Sequence, residues 1–393
     1  MNLSPLRLGR VASIDVFRAL TMLCMIFVND LWSLLHVPKW MGHADFNEDF
    51  LGFSDIVFPA FLFAVGLSIP FAIENRISKG DATWKIIWHI LLRSFALIVM
   101  GMFSVNTEAG ISSSIGMSRT TYKILMITGF FLVWNVYPKT VDWKKYLFIA
   151  LKVIGVALLV YLAVIFRDNS GGILQKRWWG ILGQIGWTYL PCAFIYMVAR
   201  KRLYIHLSVL LVFTLLNMAG SNNWLGIFHG YIVSNGAHQV LTMTGIIVSL
   251  VFILYSATIH IKKLLMFLTG YGVLFLLAGF AARQIWIISK LTATPTWIFF
   301  CAGISVLLYI FLYWLVDMKG KERWFSIIKP AGTATLTCYL LPTIVYSLFQ
   351  IWNIKFPELI RLYPLGLLKS LAIAMAVIGL TALLGKIHIK LKI

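Results

Sequence analysis

The chain is short of acid, of cysteine and of charge altogether. It holds only 14 Asp plus Glu in 393 residues, and charged residues make up 12%. A soluble protein of this length needs about a quarter of its residues charged to cover its surface, so a soluble globular class is excluded. The four cysteines, Cys24, Cys192, Cys301 and Cys338, each lie inside an apolar run and form no C-x-x-C pair. Neither a disulfide framework nor a zinc site is supported, and they read as packing residues. There is no G-x-S-x-G, no P-loop and no H-E-x-x-H, which removes the common soluble hydrolase, nucleotide-binding and metalloprotease signatures. The histidines are scattered and the acids lack ligand spacing, so no metal is expected. No gap between apolar runs exceeds roughly twenty residues, too short for a separate soluble domain.

What the chain has is apolar surface: 60% hydrophobic, 15% aromatic, with mean hydropathy +0.87. Twelve runs of membrane-spanning length lie near 13–35, 53–74, 84–104, 119–137, 146–166, 178–199, 203–219, 236–258, 264–288, 296–316, 325–351 and 364–385. The expectation is an all-α polytopic membrane helix bundle of eleven or twelve transmembrane helices, one domain over 1–393, with the lipid bilayer as its main partner. The net charge of +20 sits in short clusters between runs, the pattern of loop anchors against anionic lipid rather than of nucleic-acid binding. With the N-terminus inside, inner gaps and tails hold nineteen Lys plus Arg against seven outside, which favours both termini in the cytoplasm. The N-terminus lacks a small-residue cleavage site, so the first run is expected to be a retained helix and the chain mature as written.

Polar groups near or inside the spans are the functional candidates, because an ionisable group at mid-membrane costs at least about 2.5 kcal/mol. Asp15 and Arg18 are three apart on one helical face, the spacing of a structural ion pair. Asn29 and Asp30 close the first run and read equally as an interfacial polar cap. His43 follows in an outer loop that also carries Asp45, Glu48 and Asp49. Ser54 and Asp55 open the second run, where either caps free backbone N–H groups. Pro59 and Pro70 inside that run would kink it or free backbone groups. Gln184 and Trp187 stand among glycines suited to close helix packing. His238 and Gln239 start the eighth run on the outer side, with His229 before them; Arg283 and Gln284 end the ninth, placed to snorkel. Thr335 belongs to a Gly/Thr-rich break in the eleventh.

Five stretches in order, "SIDVFRALTMLCMIFVND", "GHADFNEDFLGFSDIVFPAFLFAVGLSIP", "WWGILGQIGWTYL", "GAHQVLTMTGIIVSL" and "KPAGTATLTCYLLP", resemble the bacterial relatives of heparan-α-glucosaminide N-acetyltransferase, within the broader transmembrane acyltransferase group. The specific part is D-x-F-R, F-V-N, and H-A ahead of a D-[IL]-[VI]-F-P. The resemblance implies an acyl-CoA-dependent N-acetyltransferase of the bacterial inner membrane. It would move acetyl from cytoplasmic acetyl-CoA, as co-substrate and without a metal, to the amine of an amino sugar or a terminal glucosamine on the outer side; a homodimer is left open. It makes His43, Asn29 and Asp55 catalytic and Asp15 with Arg18 structural. Asp30, Gln184, Trp187, His238, Gln239 and Thr335 are assigned to substrate or cofactor binding. Ala334 stands where the bacterial relatives carry Asn, and Gln184 where the lysosomal enzyme has arginine.

An imidazole suits the task of deprotonating an amine or carrying an acetyl group. Asp55 would orient it, and Asn29 would donate to the thioester oxygen. Asp45, Glu48 and Asp49 would attract a cationic amino sugar or form a solvated rim. The pantetheine arm would need a cavity lined by the first, second, sixth and eleventh runs. Two rivals remain: a proton-linked amino-sugar permease using His43 and His238, against which stands the lack of related halves, and an O-acyltransferase acting on a surface polysaccharide.

Overall fold

The protein is described here by a computed structural model covering residues 11–393 apart from 47, 139, 223, 225–234 and 257. His229, and Arg7, Arg10 and Lys139 among the inner cations counted above, lie outside the described residues. In a bilayer every backbone N–H and C=O must be met within the protein, and the apolar runs accordingly fold as helices: α1 (Ala12–Asp30), α2 (Phe53–Ser78), α3 (Thr83–Ala109), α4 (Arg119–Trp134), α5 (Lys144–Ile165), α6 (Gly180–Ala199), α7 (Leu203–Ser221), α8 (Ala237–Tyr255), α9 (Ile261–Ala282), α10 (Pro295–Tyr313), α11 (Lys329–Thr333), α12 (Thr335–Ile351), α13 (Glu358–Arg361) and α14 (Leu365–Lys386). Among the described residues the extended pairing is limited to two isolated bridges, Leu35 with Leu362 and Asn135 with Leu391. The molecule is an all-α polytopic membrane bundle.

Ten helices are long and apolar enough to cross a membrane among the described residues. Two of the twelve expected spans are shorter: α4 has 16 residues, and the eleventh run is split into α11 and the 17-residue α12. The split falls at Ala334, whose backbone (φ −126°, ψ 46°) is not helical. Its cause lies just before it, where Gly332 meets α1 so closely that a Cβ there would stand 2.4 Å from the Asp15 carbonyl oxygen. The ninth run also ends early. Expected to reach 288, its helix stops at Ala282, and residues 283–294 cross the outer face as irregular chain.

Small residues set the tightest crossings. A Cβ on Gly66 of α2 would lie 2.0 Å from the Thr242 carbonyl oxygen of α8, and one on Gly245 would lie 2.2 Å from the Phe63 carbonyl oxygen. Ser249 Oγ donates across this crossing to the Leu67 carbonyl at 2.7 Å. In "GILGQIG", Gly183 and Gly186 take α6 against Gly101 and Ser94 of α3. α5, by contrast, buries little and turns Val153, Val160 and Tyr161 outward, as a lipid-facing edge does.

At the outer end of α1, Asp30 is fully buried and pairs with Lys369 of α14 at 2.7 Å, the lysine side chain being only 5% exposed. Ser370 Oγ donates to the same carboxylate at 2.6 Å, Ser33 Oγ at 3.2 Å, and the Tyr346 hydroxyl of α12 also donates. The pair ties α1, α12 and α14 together, with every acceptor position answered. Lys369→Met is expected to cost about 3–5 kcal/mol by leaving a buried charge unpaired, whereas Asp30→Asn combined with Lys369→Met regains most of it. Thermal unfolding in detergent reads the difference.

Candidate active site

The site is built around the start of α2. Asp55 is the third residue of that helix, and its Oδ2 accepts the Gly52 N–H at 3.3 Å, the ordinary cap of a helix N-terminus. The same oxygen also accepts the Ala44 N–H at 2.9 Å, while Oδ1 meets His43 Nδ1 at 2.7 Å. Ser54 Oγ donates to the Met41 carbonyl at 2.5 Å. The loop is thereby pinned at both ends to one helical turn. Its neck is backbone on backbone, since a Cβ on Gly52 would lie 2.0 Å from the Gly42 carbonyl oxygen.

Pro59 contributes from one turn deeper. Lacking an N–H, it cannot take the Asp55 carbonyl that a helix would normally bond. Trp297 Nε1 of α10 donates to that oxygen instead at 3.2 Å, and Cys301 Sγ stands 3.9 Å away. The proline thus fastens α2 to α10 beside the carboxylate. Asp55 is 2% exposed and His43 54%.

Lys290, from the 283–294 connection, completes the cluster: its Nζ is 3.2 Å from His43 Nδ1 and 3.6 Å from Asp55 Oδ1. A carboxylate oxygen and a bare ring nitrogen would repel at 2.7 Å, so the hydrogen-bond network assigns the proton to Nδ1, donated to Asp55. Nε2 of the exposed ring has no hydrogen-bond partner among the described residues. Lys290 then interacts with the pair as a charge. Burial pushes its ammonium below the ordinary lysine value, partly offset by Asp55. Sequence reading counted Lys290 only as a loop charge. Its signal was that it is the sole cation between the ninth and tenth runs, facing the acidic loop.

Two of the three remaining acids of the first loop are engaged. Asp49 Oδ2 accepts from Arg283 Nε at 3.0 Å, and Oδ1 accepts from the Ile288 N–H at 2.8 Å. Burial would raise its carboxyl, but the Ile288 and Arg283 donors outweigh that and hold it below the usual carboxylate range. Glu48 pairs with Lys39, which likewise lowers its carboxyl. Asp45 is exposed. Arg283, expected to snorkel, is the tether between two outer loops.

On the other side of the bundle lies a cavity of about 820 Å³. It is lined from α1, α2, α6, and α11 with α12, the four runs expected, and also by α3 and residues 390–393. Arg18, Arg93, Lys390 and Lys392 reach it against one acid, Asp15. Arg93 stacks on the Tyr189 ring at 4.7 Å and its Nε is buried without a hydrogen bond. The lining runs along α2 from Asn75 to Phe61, about 21 Å by helical rise, and stops about 9 Å short of Asp55.

The structure brings His43 and Asp55 together, groups Asp15, Arg18 and Thr335 at the cavity, and sets the remaining candidates apart from both. Asn29 is exposed on the last turn of α1 and makes no hydrogen bond to His43 or Asp55 among the described residues. Asp30, assigned to binding, is instead spent on the Lys369 pair and is not in the lining of the 820 Å³ cavity. Gln184 Nε2 donates to the Trp178 carbonyl at 3.4 Å and Trp187 packs edge-on to Trp179. The cavity takes Ile181, Leu182 and Ile185 from α6 and neither of these two. His238 packs edge-on to Phe58, one turn along α2 from Asp55, and Gln239 is buried beside it. Asp15 and Arg18 pair at 3.6 Å as expected, and Arg18 also donates to Thr335 Oγ1 at 3.1 Å inside the cavity.

Gly52→Ala is expected to destabilise by about 1–3 kcal/mol, because the neck cannot open without losing the Asp55 bonds. Gly379→Ala on α14, with nothing within 4 Å, is the control and should be neutral or stabilising. Thermal unfolding of the two variants side by side checks this.

Comparison with known proteins gives two findings. A family model described as a domain of unknown function, DUF5009, matches residues 10–223. Heparan-alpha-glucosaminide N-acetyltransferase of Mus musculus is 33% identical over 102 residues, and that of Homo sapiens 33% identical over 101 residues. Each match covers 25% of this chain and 14% of the relative. The chain therefore spans about a seventh of the length of these relatives, and the relationship is distant.

Proposed function

We propose, starting from the fact that this chain belongs to the DUF5009 family, that it is a membrane acetyltransferase moving an acetyl group from acetyl-CoA to the amine of a glucosamine-type sugar. The observation that carries the reading is the exposed His43 ring held through Nδ1 by buried Asp55, with Nε2 left free. That is the arrangement of a general base whose tautomer is fixed by a carboxylate. The N-acetyltransferase activity for which the distant relatives are named supports the same reaction class.

The cation-lined cavity supports an anionic donor. Arg18, Arg93, Lys390 and Lys392 would receive the phosphates of CoA, with both termini cytoplasmic in a bacterial inner membrane, and the acyl arm would extend along α1 and α2 toward His43. The amine would lie against Nε2 from the outer side. His43 takes a proton from the amine as the nitrogen attacks the thioester carbonyl carbon. The C–N bond forms, the C–S bond breaks, and the proton passes from Nε2 to the departing sulfur. Asp55 keeps its own charge throughout and stabilises the imidazolium that forms in between.

Release of free CoA thiol from acetyl-CoA by detergent-purified protein is expected to depend on glucosamine. His43→Ala should lower it by at least about a hundredfold. No thiol release by wild type, with glucosamine uptake into liposomes, would replace the transferase by a permease. For the donor site, Arg93→Leu is expected to raise the KM for acetyl-CoA about tenfold, the size of one lost charge-assisted hydrogen bond, with a smaller change in kcat. An unchanged KM would remove Arg93 from donor binding.

A further inference from the structure

We propose that Lys290 is a positioning residue of this site: by sharing the Asp55 carboxylate, its ammonium keeps the His43 ring neutral and its Nε2 lone pair free at the working pH. The inference rests on the reading of His43 as the base. A buried carboxylate 2.7 Å from a ring nitrogen, left to itself, stabilises the imidazolium, and a ring already protonated on both nitrogens accepts no proton from an amine. Lys290 Nζ lies 3.6 Å from Asp55 Oδ1 and 3.2 Å from Nδ1, so it draws on the same negative charge and opposes a second positive one beside it. At these separations, on a carboxylate 2% exposed, solvent screens the interaction weakly.

The position of the ammonium is built into the fold. α9 stops at Ala282, and the chain from 283 to 294 is tied to the His43 loop by Arg283 and the Ile288 N–H on Asp49. Lys290 follows Ile288 by two residues, and Thr294 then caps α10. The lysine side chain is 26% exposed. The other titratable and charged groups around the ring have separate engagements. The Asp49–Arg283 pair is closed on itself, Asp45 points to solvent, Cys301 of α10 stands behind the Asp55 carbonyl, and His238 of α8 packs on Phe58. Among the described residues, Asp55 and Lys290 are thus the two charged groups in contact with Nδ1.

The test reads the ring directly. Diethyl pyrocarbonate acylates neutral imidazole, so labelling of the His43 peptide, followed by mass spectrometry from about pH 5 to 9, reports where the ring becomes neutral. Lys290→Met and Lys290→Gln are expected to move that midpoint up by about one pH unit, with labelling at about pH 6 falling several-fold and labelling at about pH 8 unchanged. Lys290→Arg, which restores the charge, should keep the wild-type midpoint. A common midpoint for wild type, Met and Gln overturns the proposal; a purely structural lysine would reduce the folded fraction at every pH alike. Thiol release is measured on the same samples. A shifted midpoint in a protein that releases no thiol supports the role of Lys290 and removes the transferase reading, whereas thiol release with an unshifted midpoint overturns the role of Lys290 alone.

Discussion

A carboxylate can be taken to near-complete burial at a membrane edge only where its charge and lone pairs are all answered. Asp55 is answered by four groups: the Gly52 and Ala44 amides, the His43 ring and the Lys290 ammonium. Those four come from the helix start, the preceding loop and a connection more than two hundred residues away. The single side chain therefore caps α2, closes the loop, sets the imidazole tautomer and draws in a cation. Removing the carboxylate would disturb all four at once, leaving a half-buried cation and two amides unpartnered.

Two buried ion clusters divide the work of the outer side. Asp30 with Lys369 is buried on both sides of the pair and joins three helices. Asp55 with His43 and Lys290 is half open, and its outermost member is the one with reactive chemistry. The difference lies in exposure of one partner, which separates a knot that only holds from a site that can meet a substrate. On the opposite side, the cavity gathers Arg18 and Arg93, the first paired with Asp15 and the second stacked on Tyr189, a third arrangement, with cations set along a cavity wall.

Much of this was legible in the sequence. The apolar runs gave the helices, and His43 and Asp55, twelve residues apart, are the one pair of candidate catalytic residues that the fold joins. Local reading succeeded there because the cap position of Asp55 is a local rule. It failed where the partner was remote: Lys290 is 247 positions from His43, and nothing in periodicity links them. Asp30 looked like a binding acid because its lysine is found only on the last long helix. Gln184 and Trp187 looked available because the glycines around them specify contact with α3 without saying which residues turn away from it. The broken eleventh run was visible as a Gly/Thr stretch, but the break is caused by how closely α1 approaches Gly332, a fact of packing.

The backbone neck between Gly42 and Gly52 has a further consequence for how such a molecule can diversify. The imidazole is placed by the neck and by Asp55, both on the near side of the loop, while the exposed tip around Asp45 and Phe46 hangs beyond it. Length and side chains at the tip are free to drift without shifting the ring, as in a hand whose fingers change while the wrist is clamped. The surface that the tip presents and the placement of the ring are in this way separable inheritances, carried by adjacent residues of one short loop.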